Sequence, residues 1–62
     1  MYSMYTIGDL NAVMAGWVCV LKRGHGTLFK LPPGSEKLAL TIIGHMNRGD
    51  YERALKALAE ES

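Results

Sequence analysis

Apolar positions along this chain fall into separate runs, and their period changes from one run to the next. Ile7, Leu10, Val13 and Met14 recur at helical spacing. Thr6 with Asp9 three residues on forms a capping-box-like start, and Tyr5 and Leu10 hold the two positions of a hydrophobic staple. Gly16 supplies a left-handed stop. This pattern predicts a first helix over about 7–15. Trp17-Val18-Cys19-Val20-Leu21 and Thr27-Leu28-Phe29-Lys30-Leu31 are short runs rich in β-branched and aromatic residues, parted by a Gly-containing connection. They read as a β-hairpin over about 17–31, with Trp17 and Phe29 facing each other across it if the register permits.

Ile7, Leu10, Met14, Trp17 and Leu21 also form one continuous helical stripe. An all-α three-helix bundle is therefore the alternative. Pro32-Pro33 ends the second strand, because neither residue can donate to a ladder. Ser35 is placed as an N-cap with Glu36 in the first turn, and Leu38, Ala39, Ile42, Ile43 and Met46 give an apolar face over about 36–47. Gly49 stops that helix and Asp50 caps the next, over about 51–60, where Tyr51, Ala54, Leu55 and Leu58 share one face. The fold reading is a small single α+β domain over 1–62: helix, β-hairpin, then αα-hairpin.

Length changes the weight of that picture. A chain of 62 residues buries only about 60% of the surface its unfolded form exposes, so its core is marginal. Small scaffolds usually add disulfides, a metal or a second subunit. One cysteine forms no intrachain disulfide, and Cys19 with the separated His25 and His45 makes no structural zinc site. No cofactor motif is present either. Oligomerisation remains, and the 48% hydrophobic content points the same way, toward a homodimer or higher assembly.

Net charge is +1, too small to favour nucleic acid or a membrane by field alone. No run is long enough to span a bilayer, and Met1–Tyr5 lacks the basic start of a secretory signal. With a lone free cysteine, the chain reads as cytoplasmic. Lys22, Arg23, His25 and Lys30 gather around Gly24 and Gly26, where they could meet phosphate, although a hairpin tip is polar and Gly-rich in any case. No P-loop spacing is present. Neither His25 nor His45 has a partner for catalysis placed by the sequence, and Cys19 between two valines reads as a buried small hydrophobe. Trp17, Phe29, Tyr5 and Met14 are candidate interface anchors, with a place in the core as the plainer role.

Tyr5-Thr6-Ile7-Gly8-Asp9-Leu10 resembles the opening of MerR-type helix-turn-helix domains, which implies a helix beginning there. Gly49-Asp50-Tyr51-Glu52-Arg53-Ala54-Leu55 is similar to the second helix of a tetratricopeptide repeat, which implies a helical hairpin. The resemblances end with these stretches, and the chain is assigned to no family. The expectation for function is a small non-enzymatic regulatory, adaptor or inhibitor protein that binds another protein. Its size suits the compact chains of phages and mobile elements. The alternative is a nucleic-acid-binding regulator that uses the basic hairpin tip.

Overall fold

A computed structural model describes residues 1–61. Strands β1 (Tyr2–Thr6), β2 (Val18–Lys22) and β3 (Gly26–Leu31) precede helices α1 (Glu36–Asn47) and α2 (Tyr51–Glu61). The strands form one antiparallel sheet in the order β1-β2-β3. The αα-hairpin and the β-hairpin stand where the sequence puts them. The first helix does not form, and with two consecutive hairpin strands in place the three-helix alternative falls as well.

The physical reason lies on both sides of Thr6. Upstream, Tyr2 and Met4 pack toward the core while Ser3 and Tyr5 alternate to the other face, so this segment has strand period and adds a third strand to the hairpin. Thr6 pairs with Val18 instead of capping a helix, and the staple of Tyr5 on Leu10 is not built. Downstream, Asp9 Oδ1 accepts the Asn11 N–H at 2.9 Å, and the Asp9 carbonyl accepts the Ala12 N–H at 3.0 Å. A short carboxylate that captures a backbone donor two residues on favours a turn over a helix. The MerR-like opening is therefore strand and turn here.

At the hairpin tip Gly24 takes φ +86 while His25 N–H donates to the Lys22 carbonyl at 2.9 Å. That is the left-handed third position a type II turn requires. Val20 pairs with Phe29 and Leu21 with Thr27, so Leu28 is the extra residue of a β-bulge. The same register separates Trp17 from Phe29. Phe29 lies opposite Val20 and packs on the helix side, whereas Trp17 precedes β2 and is half-buried outside the core cluster.

Val18, Val20 and Leu31 of the sheet meet Ala39, Ile42, Ile43 and Ala54 of the helices in the buried core. α1 crosses β1 and β2, and α2 packs on α1. α1 ends in a Schellman motif: Asp50 N–H donates to the His45 carbonyl at 2.9 Å and Gly49 N–H to Met46 at 3.0 Å. Asp50 then caps α2 through the Arg53 N–H at 3.4 Å, as the sequence predicts. Ser35 caps α1 by position alone, because its side chain makes no capping bond.

Candidate functional site

The connection between β1 and β2 is the feature the sequence reading misplaced, and it is the best candidate site. Two backbone bonds close its base, Ile7 N–H to the Trp17 carbonyl and Gly16 N–H to the Ile7 carbonyl, both at 2.9 Å. Three successive turns shape residues 9–17, with donors Ala12, Ala15 and Trp17 bonded to Asp9, Ala12 and Met14. Gly16 has φ +83 and packs beside Pro33, whose ring an added Cβ would meet at ordinary contact distance, 3.4 Å. A compact loop with adjoining ends and internal bonds is an Ω-type loop, a form used often for recognition.

What this loop displays is apolar. Leu10 is 90% exposed and Val13 is fully exposed. Two branched aliphatic side chains are thus held in water on a loop ordered by its own backbone bonds. Helical periodicity, which assigned both to a core-facing stripe, concealed them. The signal that would have found them is the bracket of Gly8 and Gly16 around Asp9 and Asn11, which is loop chemistry.

Of the candidate protein-binding residues, Tyr5, Met14 and Trp17 belong to this neighbourhood and Phe29 does not. Tyr5 lies opposite Cys19 on the sheet face away from the helices, and Trp17 closes the loop base. Lys30 pairs with Cys19 from the other side and reaches Met14 Sδ at 3.7 Å. Cys19 is fully buried, between Tyr5 and Lys30 in the sheet register. It is free and apolar in setting, as the sequence predicts.

The register disperses the basic group. Lys22 faces the helix side, with Nζ 5.5 Å from the centre of the Tyr2 ring. Lys30 is on the opposite face, away from the tip. Arg23 and His25 alone remain exposed at the turn. His45 is on α1, its Nδ1 accepting from Arg48 Nη2 at 2.9 Å.

Tyr51, at the start of α2, is the one group with a resolved acid–base perturbation among the described residues. Its phenol is raised above the ordinary value near 10, first by a hydrogen bond with Tyr2 and then by repulsion between the two phenolates. Burial adds to the rise and Lys22 opposes it. Beside it, Phe29, Tyr51, Leu55 and Leu58 help to line an apolar recess of about 160 Å³ between β3 and the helical hairpin. Cofactor and substrate pockets run from about 300 Å³ upward, so this recess takes one side chain rather than a small molecule. Among the described residues, no three His, Cys, Asp or Glu side chains gather to hold a metal. No helix of those residues is long and apolar enough to cross a membrane.

No protein-family model, curated protein or solved structure matches the chain at a significant level.

Proposed function

We propose that this protein is a small non-enzymatic binding module, cytoplasmic and of the regulatory, adaptor or inhibitor kind, which docks on another protein through the 8–16 loop. The observation that carries the reading is the exposure of Leu10 and Val13 on a loop pinned at its base and bonded internally. Full desolvation of such a side chain is worth about 1.5–3 kcal/mol, and an ordered loop loses little further entropy on docking. Tyr5 and Trp17 would frame the contact.

The test is a photoreactive residue at position 13, expressed in the source cells. The reading expects one protein cross-linked from position 13, and its loss when Leu10→Asp is added. Diffuse cross-linking that Leu10→Asp leaves unchanged would overturn it. The nucleic-acid alternative now rests on Arg23 and His25, because Lys22 lies over Tyr2 and Lys30 is on the far face. Steeply salt-dependent binding to DNA or RNA, lost in Arg23→Ala, would favour it.

A further inference from the structure

The two edges of the sheet are finished differently. On β1, the Asn47 side chain imitates a neighbouring strand: its Oδ1 accepts the Tyr2 N–H at 2.8 Å, and its Nδ2 donates to the Tyr2 carbonyl at 3.3 Å. α1 also packs along this strand. β3 has no such side-chain cap among the described residues, and only its bulge at Leu28 and its Lys30 interrupt the edge. Among the described residues, no loop, turn or cap bond reaches the backbone of Thr27–Leu31 from the outer side. Soluble proteins cover or charge such edges, because unpaired N–H and C=O groups recruit another strand. The only charge on β3 is Lys30, which is turned toward Met14.

The recess beside this edge is lined by apolar side chains. Leu28 on the strand is 45% exposed, and Tyr51 at 51% and Leu55 at 67% line the recess against Phe29. The lone chain is also more open than its mass warrants. It exposes 4405 Å², against about 4,000 Å² for a folded monomer of 6.8 kDa. Its radius of gyration is 11.6 Å, against about 10.6 Å for a compact domain of this length. The excess area is on the order of half of what each partner buries in a standard interface, about 800 Å².

We infer that two copies of this chain associate about a two-fold axis, β3 against β3, to make one continuous six-stranded sheet flanked by the two α2 helices. The occupant is a second copy for two reasons. Pairing of like edges joins the outer backbone of both β3 strands and leaves outside the β1 edges, each capped at Tyr2 by Asn47. An axis through Phe29 places each Lys30 opposite Leu28 of the second copy, so like charges do not meet. The Leu55 side chains and the recesses beside Phe29 then lie near the junction and lose their water. This interface uses residues other than those of the proposed docking loop and stands without that reading.

The experiment is mass by light scattering from about 1 µM to 1 mM, the range over which small interfaces form. The wild type is expected to reach twice the 6.8 kDa chain mass. Leu28→Lys and Leu55→Glu, made separately, should each raise the dissociation constant at least about tenfold, with far-UV circular dichroism unchanged. Leu55 is two-thirds exposed, so its variant decides the matter should Leu28→Lys fail to fold. A wild type that stays at 6.8 kDa overturns the inference. So does a doubled mass that survives both substitutions, or one halved by Leu10→Asp, which would move the interface to the loop.

Discussion

Single positions in this chain separate stability from recognition. Leu10 and Val13 touch almost nothing, so Leu10→Asp and Val13→Asp should change folding stability by less than about 0.5 kcal/mol. Urea denaturation checks this, and a larger loss would mean that the loop is packed rather than displayed. Gly16 is the opposite case. Its φ of +83 is one that a Cβ disfavours, so Gly16→Ala should destabilise by about 1–2 kcal/mol. Tyr51 gives a pH signature. Its pKa is raised in the folded chain, so the fold favours the neutral phenol. That contribution is complete below the unfolded value near 10 and is lost as pH climbs through the raised one. Stability should therefore fall in alkali, and the fall should be shallower in Tyr51→Phe. Equal slopes for both proteins would show that Tyr2 and Tyr51 do not interact.

Elements with strong local signals were legible in the sequence, and the one that depends on long-range pairing was not. Gly49 and Asp50 fix the αα-hairpin by backbone geometry that any context preserves, and Gly24 does the same for the β-hairpin tip. The segment 2–6 becomes a strand only because β2 is there to receive it, and five residues with one alternation carry little signal alone. Once β1 takes Tyr5 and Thr6, the helix patterned by Ile7, Leu10, Val13 and Met14 has lost its cap, and Asp9 turns the chain instead. The candidate site stayed hidden for the same reason, since its two leucine and valine anchors sit within that spurious stripe. Asn47 pairs with the Tyr2 end of β1 across 45 residues, a contact that no local pattern announces. Asn47→Ala removes both bonds to Tyr2 and should cost about 1–2 kcal/mol. It also uncovers a second edge, so higher oligomers should appear in light scattering. A variant with wild-type stability and mass would deny Asn47 this role.

At the scale of the whole molecule, the decisive quantity is the dependence of stability on concentration. The core is carried by a few aliphatic side chains, with Ile42, Val18 and Val20 the largest fully buried ones besides Cys19, and a chain of this size gains little margin from such a core. If the open β3 edge is closed by a second copy, unfolding must also separate the copies, and mass action enters the melting temperature. A tenfold rise in protein concentration then adds about 1.4 kcal/mol per dimer, or about 0.7 kcal/mol per chain. For a domain of this size that corresponds to a rise of about 3–5 °C in Tm per decade. Leu55→Glu should abolish the slope while leaving the melting temperature at high dilution near that of the wild type, because Leu55 adds little to the core of one chain. A wild-type Tm independent of concentration would mean that the single chain carries its own stability. The exposed β3 edge would then be open to a strand from a different protein, and the chain's two apolar surfaces, loop and edge, would both face outward to partners.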